Sequence, residues 1–383
     1  MGYTQICKLE EAFDALIFKG KQVGKTPEDL KQAGSKWTEA VWLEASRMGA
    51  KHYNDAHIAD GIAFGKRAVF LCGVERSGTT LLRNLLDDHE ALSVLPSEGT
   101  FISQLEPKMR LLHPSKWMEF LCREWLWRLA ISDHQPPFWL LGRSTEDFSS
   151  YVDFARIFLS WWPIVERELS ISITIWPQLV LQIAFEDVQQ KLIPGKFKKY
   201  WVDKTPRNEL YLNRLWKDLP EAKVVYITRD PEAVINSRKR MEWFTGTPVK
   251  YFIRDLQKSM KIAISESQKK KPHFLLIKYE SLVSEPVATM GKLAAFLEID
   301  YYQKLLVPTV VGNLTNSNSS FEGNDSKGEI LTNTLNPPKI ILTNKEMKLL
   351  QATVGSYSNL LGYKMKQQGK TESFFIRIWN RII

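Results

Sequence analysis

Short apolar runs alternate with amphipathic stretches along much of this sequence. The runs at residues 68–72, 200–202 and 223–228 are rich in β-branched and aromatic side chains, which is typical of strands buried in a parallel sheet. A shorter apolar run, residues 92–95, predicts another strand. Apolar residues at helical spacing follow the first run, in residues 81–86. The alternation predicts an α/β fold with a central parallel sheet flanked by helices.

Two other regions differ in their pattern of apolar and polar positions. Residues 1–65 hold apolar positions at helical spacing, mainly between residues 30 and 48, and predict a helical segment that packs on the core. Residues 105–195 show few strand-like alternations and predict a helical insertion. Its aromatic side chains either fill the core or line a lid or acceptor pocket, and the pattern leaves both open. Seven of the 13 tryptophans lie there: Trp117, Trp125, Trp127, Trp139, Trp161, Trp162 and Trp176.

The C-terminal part of the sequence is less regular. Residues 312–328 are rich in Asn, Ser and Gly, which predicts a loop or a disordered segment. Residues 364–383 form an amphipathic basic tail that either docks on the protein's own surface or contacts a membrane. The apolar face of this tail contains Phe374, Phe375, Ile378, Trp379 and Ile382. Residues 66–363 predict one domain, because 383 residues with 44% hydrophobic content can bury a single large core.

Composition narrows the classes of partner. Basic residues outnumber acidic ones by nine, 52 against 43, which favours anionic ligands. No zinc-ligand spacing or RNA-binding aromatic motif accompanies this excess, so we expect no nucleic-acid partner. Three cysteines without a spaced pair favour a reducing compartment. No signal peptide is recognised, and the most apolar stretch, residues 171–185, is shorter than the ~20 residues of a membrane span. We expect a cytoplasmic protein, with peripheral membrane contact through the tail as an alternative.

The loop after the first predicted strand has the spacing of a phosphate-binding loop. Gly73, four residues, Gly78, one residue and Thr80 reproduce the glycine and hydroxyl positions of a nucleotide P-loop. Backbone N–H groups and the N-terminus of the next helix would face an anion of about one phosphate in size. Charge and hydroxyl groups come from Arg76, Ser77, Thr79 and Thr80.

Thr79 stands where an ATP or GTP enzyme has its phosphate-binding lysine. That lysine neutralises the outer phosphates of a nucleoside triphosphate, so its replacement argues against NTP hydrolysis. A P-loop-type kinase or NTPase remains an alternative at this point. So does a nucleotide-binding scaffold without catalytic activity.

Charged residues follow the other predicted strands. Glu98, Lys204 and Arg229 each come at or just after the end of an apolar run. Because parallel strands end at one edge of a sheet, these side chains can reach a shared cleft. Ser237 lies about two helical turns after Arg229 and could reach the same anion. Glu98 is alternatively a solvated turn residue.

Two of these segments resemble the sulfotransferases that use 3′-phosphoadenosine-5′-phosphosulfate (PAPS). Residues 75–80 resemble their 5′-phosphosulfate-binding loop, roughly Pro-Arg/Lys-Ser-Gly-Thr-Thr, with Glu75 in place of the usual proline. Residues 219–237 resemble the segment that holds the 3′-phosphate, including the eight-residue step from Arg229 to Ser237. The resemblance implies a P-loop-like sulfotransferase fold, PAPS as co-substrate, and no metal.

A third segment and a loop extend the resemblance. Residues 273–283 resemble the last strand of the family and its continuation, where we expect Tyr279 and Glu280 to be packing and helix-capping groups. Residues 312–328 would form the loop that folds over the nucleotide, with Ser319 and Lys327 as contacts. The Arg-Lys-Gly and Gly-x-Trp elements often found there are not recognisable.

Within the family, the likeness is closest to the branch that includes protein-tyrosine sulfotransferases. Its loop arginine, glutamate and lysine match Arg76, Glu98 and Lys204. The resemblance implies that Glu98 is the general base, while Arg76 and Lys204 stabilise charge on the leaving phosphate. The histidine base of the cytosolic branch has no match, since we expect His89 to pack inside the first helix. The acceptor would be a hydroxyl of a small molecule, sugar, lipid or peptide, and the sequence does not choose among them.

Overall fold

The computed structural model describes residues 53–96, 98–121, 149–169, 175–192, 197–241, 244–315, 327–335 and 341–364. Several predicted features lie outside these residues. They are residues 1–52 of the N-terminal segment, Trp125, Trp127, Trp139, Ser319 and residues 365–383 of the tail.

The described strands are separated by one or more helices, except for the last two, which follow each other directly. The strands are β1 (Ala68–Cys72), β2 (Leu92–Val94), β3 (Tyr200–Lys204), β4 (Lys223–Thr228), β5 (Phe274–Lys278), β6 (Thr309–Val310) and β7 (Asn313–Leu314). The helices of the first half are α1 (Asp55–Gly65), α2 (Thr79–Leu86), α3 (Glu106–Met109), α4 (Trp117–Leu121), α5 (Ser149–Leu169) and α6 (Trp176–Leu192). Those of the second half are α7 (Leu212–Asp218), α8 (Pro231–Lys239), α9 (Val249–Gln268), α10 (Tyr279–Ser284), α11 (Pro286–Leu297) and α12 (Asn344–Leu360).

The main sheet has five parallel strands in the order β2-β3-β1-β4-β5. This confirms the predicted α/β fold with a central parallel sheet. Leu71 of β1 lies opposite Lys204 of β3, and Cys72 lies opposite Tyr226 of β4. The carboxyl ends of the three central strands are therefore aligned at one edge, where the loops after them meet.

Alternate residues of each strand pack on opposite faces of the sheet. Phe70 and Trp201 belong to the core beneath helices α5 and α6. Leu71 and Val202 belong to the core beneath helices α2 and α11. All five residues of β1 are buried, which explains why its sequence is apolar throughout instead of alternating.

The described tryptophans of the helical region pack in the core. Trp161 is fully buried and donates its Nε1–H to Asp187 Oδ2 at 2.9 Å. Trp162 and Trp176 are buried and meet edge to face, with ring centroids 4.5 Å apart. For these three side chains, the core interpretation is the correct one of the two that the sequence left open.

Two features differ from the sequence expectations. Residues 313–314, at the start of the predicted loop, pair with residues 309–310 in an antiparallel hairpin. His89 lies beyond the end of α2 instead of inside the helix, because the helix stops at Leu86. Its ring is nevertheless buried, with Nε2 at 2.9 Å from the carbonyl oxygen of Asp300, so the packing role is correct. Among the described helices, none combines the length and the apolar character that crossing a membrane requires.

Candidate nucleotide-binding and catalytic site

The loop after β1 begins with a glycine that no other residue could replace easily. Gly73 has a φ of 138°, and a Cβ at this position would lie 2.6 Å from the carbonyl oxygen of Ile227. Its N–H donates to Glu209 Oε2 at 3.1 Å. Glu209 is buried and also accepts from the Ser259 hydroxyl at 2.5 Å, and burial raises the pKa of its carboxyl group. The Glu209 carboxylate thus holds the start of the loop in place, although no pattern in the sequence distinguishes this residue.

A tight turn follows, from Val74 to Ser77. The Ser77 N–H donates to the Val74 carbonyl at 3.2 Å, and the third residue, Arg76, has a φ of 74°. This is the pattern of a type II turn, whose third position is left-handed. The Ser77 hydroxyl is buried and donates to the same Val74 carbonyl at 2.7 Å. The turn directs the Arg76 side chain toward the helix that follows β4.

Helix α2 starts directly after the turn. Gly78 has a φ of 103°, and a Cβ there would lie 2.3 Å from the ring of Tyr279. Thr79 is buried and Thr80 is exposed at the first turn of the helix. The first N–H groups of a helix have no acceptor within the helix, and the helix dipole adds partial positive charge. The start of α2 is therefore suited to an anion such as a phosphate.

Three predicted anion-binding side chains come together beside this helix start. Arg76 donates through Nε to Ser237 Oγ at 2.9 Å, and Arg229 donates through Nη1 to the Arg76 carbonyl at 3.3 Å. Burial, and then the charge of Arg229, lowers the pKa of Arg76. Two guanidinium groups that approach each other away from water repel, and an anion between or beside them would relieve this repulsion.

Two further residues shape the Arg229 environment, and the sequence did not assign them to the site. The ring of Tyr279 lies 4.2 Å from the Arg229 guanidinium carbon, in a cation–π contact. The Thr334 carbonyl accepts from Arg229 Nη2 at 3.0 Å, and the Tyr279 hydroxyl donates to Thr334 Oγ1 at 2.8 Å. Glu280, expected as a capping group, accepts from the N–H of Asp230, the residue that caps α8.

Glu98 and Lys204 form an ion pair at the ends of β2 and β3. Lys204 Nζ lies 2.5 Å from Glu98 Oε1; the lysine side chain is 4% exposed and the glutamate side chain 44%. Burial lowers the pKa of Lys204; Glu98 opposes this effect, and the positive charge of Arg83 adds to it. The arrangement presents a solvent-facing carboxylate with a buried ammonium behind it.

Asp203 and Arg83 hold the Glu98 segment in place. Asp203 Oδ1 accepts from the Gly99 N–H at 3.1 Å, and its Oδ2 accepts from Asn208 Nδ2 at 2.8 Å. Burial raises the pKa of Asp203 to about 6. Arg83, on α2, donates to the Pro96 carbonyl at 2.6 Å. Asp203 was visible in the sequence as the neighbour of Lys204, whereas nothing in the pattern of α2 marked Arg83 as different from a solvated helix residue.

The nucleotide-covering loop is described only at its two ends. Lys327 is exposed, and the next residue, Gly328, donates to the Thr315 carbonyl at 3.0 Å. The contact of Lys327 with the nucleotide stays a prediction.

A glycine-containing loop between a parallel strand and a helix N-terminus, with cations from both neighbouring strands, defines an α/β protein of the P-loop-like phosphate-binding class. Residues 68–303, more than half of the chain, match the sequence model of the Sulfotransferase family. The chain belongs to this family and is a sulfotransferase, which confirms the resemblance noted from the loop and the segment after β4.

Several solved structures are similar to the chain. The sulfotransferase domain of the Synechococcus PCC 7002 olefin synthase is 18% identical, with a TM-score of 0.46, covering 78% of this chain and 96% of that domain. Sulfotransferase STF9 from Mycobacterium avium is 13% identical, with a TM-score of 0.42, covering 94% and 98%. Mouse sulfotransferase SULT7A1, complexed with PAP, is 14% identical, with a TM-score of 0.36, covering 81% and 94%. None of the curated proteins matches the chain.

Proposed function

We propose that this sulfotransferase transfers the sulfuryl group of PAPS to an acceptor hydroxyl. The observation that carries the proposal is the convergence of Arg76, Arg229 and Ser237 beside the N-terminus of α2. PAPS carries phosphate at both the 3′ and the 5′ position, so a protein that binds it needs two anion subsites a few ångströms apart. The turn with α2 provides one subsite, and the end of β4 with α8 provides the other.

The donor would lie along the carboxyl ends of β1 and β4. Its 5′-phosphate would contact the N–H groups and side chains of residues 76–80, and its 3′-phosphate would lie between Arg229 and Ser237. Ser319 and Lys327 would contact the nucleotide from the covering loop. The cation–π contact of Arg229 with Tyr279 supports this arrangement, because it fixes the guanidinium plane before the ligand arrives.

The chemistry would take place at the Glu98–Lys204 pair. The acceptor oxygen would bond to sulfur while the bond between sulfur and the 5′-phosphate oxygen breaks, leaving 3′-phosphoadenosine-5′-phosphate (PAP). Glu98 would take the acceptor proton, since its carboxylate is the solvent-facing member of the pair. Lys204 and Arg76 would stabilise the negative charge that grows on the leaving phosphate. This scheme routes no step through a metal.

The acceptor is a hydroxyl-bearing small molecule, sugar, lipid or peptide in this proposal. The match of Arg76, Glu98 and Lys204 to the protein-tyrosine branch makes a phenolic hydroxyl one member of that set. No nucleic-acid partner is part of the proposal.

We further propose a reducing, cytoplasmic compartment with peripheral membrane contact through residues 373–383. The three cysteines, which form no spaced pair in the sequence, support the first part. The apolar face and the two arginines of the tail sequence support the second. Co-sedimentation with anionic liposomes, with and without these residues, tests the membrane contact. Equal sedimentation of the two proteins would contradict it.

Binding and turnover measurements test the enzymatic proposal separately. Titration calorimetry should show saturable binding of PAP and much weaker binding of ATP with Mg²⁺, because Thr79 replaces the lysine that ATP enzymes use. Labelled PAPS incubated with pools of phenols, sugars, lipids and peptides should give a labelled acceptor. Binding of PAP without transfer to any pool would leave a nucleotide-binding scaffold, and preference for ATP would leave a kinase.

A further inference from the structure

Glu75 is an unexpected residue for the second position of the turn at residues 74–77. In a turn whose third residue is left-handed, proline is favoured at the second position because its ring fixes φ near −65°. A glutamate supplies no such restriction. Its negative charge also lies next to Arg76 in a loop suited to an anion, and like charges repel. These two costs require a compensating contact.

The contact is a network of four charges. Glu75 Oε1 lies 2.9 Å from Arg207 Nη2, and Glu75 Oε2 lies 3.4 Å from Arg238 Nη2. Asp255 Oδ2 lies 3.4 Å from each of the two guanidinium groups. The Arg238 side chain is only 1% exposed and packs against two phenylalanine rings. The network is electrically neutral, and the removal of one carboxylate would leave a buried guanidinium with half of its compensation.

The network lies beside a second link between the same two elements. Arg76, the next residue of the turn, donates to Ser237, which precedes Arg238 on α8. Two consecutive loop residues therefore contact two consecutive helix residues, Glu75 with Arg238 and Arg76 with Ser237. We call this four-residue arrangement the double clasp.

We propose that Glu75 is a positioning residue that holds Arg76 in its left-handed conformation and keeps the two phosphate subsites at a fixed spacing. This inference rests on the proposed function, in which Arg76 contacts the 5′-phosphate and Ser237 the 3′-phosphate. A left-handed arginine is disfavoured in a free chain. Without Glu75 the turn relaxes, and the apparent dissociation constant of the nucleotide rises in inverse proportion to the competent fraction.

The variant Glu75→Gln distinguishes positioning from simple charge, because the two effects have opposite signs. Removal of a negative charge beside an anion site would, by itself, tighten PAP binding. Loss of the double clasp weakens PAP binding, by about tenfold if about one molecule in ten keeps Arg76 in its left-handed conformation. The measurement is the PAP dissociation constant by titration calorimetry, with a thermal melt to verify folding. Binding that is unchanged or tighter in the folded variant would overturn the inference.

Glu346→Gln is the matched control. Glu346 accepts from Lys239 at 2.7 Å, so this variant also removes one carboxylate that pairs with α8, but outside the loop. We expect its PAP dissociation constant to stay within about twofold of the wild-type value. A loss equal to that of Glu75→Gln would overturn the specific role of the turn.

Two further variants keep the inference testable if Glu75→Gln does not fold. Glu75→Pro restores the restriction of φ without the negative charge, and we expect it to bind PAP at least as tightly as wild type. Asp255→Asn weakens the network from α9 without changing the loop, and we expect weaker PAP binding than in wild type. Normal binding in Asp255→Asn, or weaker binding than wild type in Glu75→Pro, would overturn the inference. Failure of the wild-type protein to bind PAP would instead overturn the proposed function, and this inference with it.

Discussion

Two acidic side chains lie near the same buried lysine in opposite environments. Glu98 faces solvent and pairs with Lys204, whereas Asp203 is buried and accepts hydrogen bonds from the neighbouring backbone and side chains. A carboxylate that must exchange a proton with a substrate needs access, and one that fixes a loop needs none. The environments therefore favour different roles for the two residues: Glu98 can exchange a proton with the substrate, whereas Asp203 holds the neighbouring loop in place.

Glu98→Gln should lower turnover by a factor of about 10² to 10⁴, because an amide cannot accept the acceptor proton. The PAP dissociation constant should stay close to that of wild type, since Glu98 does not contact the anion subsites. Single-turnover assays with labelled PAPS, combined with calorimetry, measure the two quantities. Glu90→Gln removes an exposed carboxylate whose partner is Tyr302, and it should change neither. Near-normal turnover in Glu98→Gln would remove this residue from the mechanism.

Asp203 should make stability depend on pH. Its folded-state pKa of about 6 is above the ordinary value of 3.8, so the folded protein binds the proton more tightly than the unfolded chain. This contribution to stability is complete below about pH 4 and is lost as the pH rises through 6. The free energy of unfolding should fall by roughly 3 kcal/mol across this range.

Urea unfolding of wild type and Asp203→Asn at several pH values isolates the effect of this one group. The difference between the two unfolding free energies should change between pH 4 and pH 7, because the amide does not titrate. Two parallel pH profiles would show that the carboxyl of Asp203 has an ordinary pKa in the folded protein.

At the scale of residues, the candidate site residues at strand ends could be predicted from the sequence, but the residues that hold them in place could not. Arg229 and Ser237 were predicted to share one anion and Arg76 to contact the other phosphate of the same nucleotide, and the structure brings the three side chains together. Arg83 and Thr334 could not be found in this way. Arg83 lies within a helix, and the residues around it do not distinguish it from a solvated helix residue. Thr334 is far from Arg229 in the sequence, and only the tertiary fold brings the two residues into contact.

At the scale of elements, the loop between β1 and α2 depends on the absence of a side chain at Gly78. A Cβ there would meet the Tyr279 ring, and a φ of 103° disfavours any other residue. Gly78→Ala should therefore destabilise the protein by about 1–3 kcal/mol and weaken PAP binding. Chemical denaturation and calorimetry measure the two effects.

Gly291 offers the opposite case within α11. A Cβ there would meet no atom within 4 Å, and the residue is in the interior of a helix. Gly291→Ala should stabilise the protein by about 0.5–1 kcal/mol and leave PAP binding unchanged. Equal effects of the two substitutions would contradict the special conformation assigned to the loop.

Strand boundaries were predicted correctly where the burial of the strand in the fold agrees with the apolar pattern of its sequence. β1 and β4 were predicted with the boundaries that the structure shows, because both strands are buried along their whole length. β3 continues two residues beyond its apolar run, since Asp203 and Lys204 are buried and lie opposite Phe70 and Leu71. The hairpin at residues 309–314 was not predicted. Its strands have two residues each, too few for alternation to be visible.

At the scale of the whole molecule, the excess of basic residues should guide the nucleotide to its site. The formal net charge is +9, and PAP carries several negative charges. The association rate constant of PAP should fall about tenfold as the salt concentration rises from about 20 mM to about 300 mM. Stopped-flow fluorescence measures the rate, and adenosine, which has no phosphate, serves as the control ligand. Equal salt dependence for PAP and adenosine would show that local contacts alone govern capture.

The fold class and the family could be predicted from the sequence because both depend on short, local patterns. The phosphate loop spans eight residues, 73–80, and the segment after β4 is continuous in the sequence. The network of four charges could not be predicted, since Arg207 follows β3, Arg238 lies on α8 and Asp255 lies on α9, all far from Glu75 in the sequence. Such long-range ion pairs leave no periodic trace in a single sequence.

The strand order has a consequence for how this enzyme could diversify. Glu98, the group proposed to act on the acceptor, follows β2 at the edge of the sheet, whereas the groups proposed to contact the donor follow or end β3, β1 and β4. The segment that follows β2 can therefore change while the residues proposed to contact the donor stay the same. New acceptor preferences could therefore arise by exchange of the segment after β2 and its covering helices, while the machinery that recognises the sulfate carrier is inherited intact.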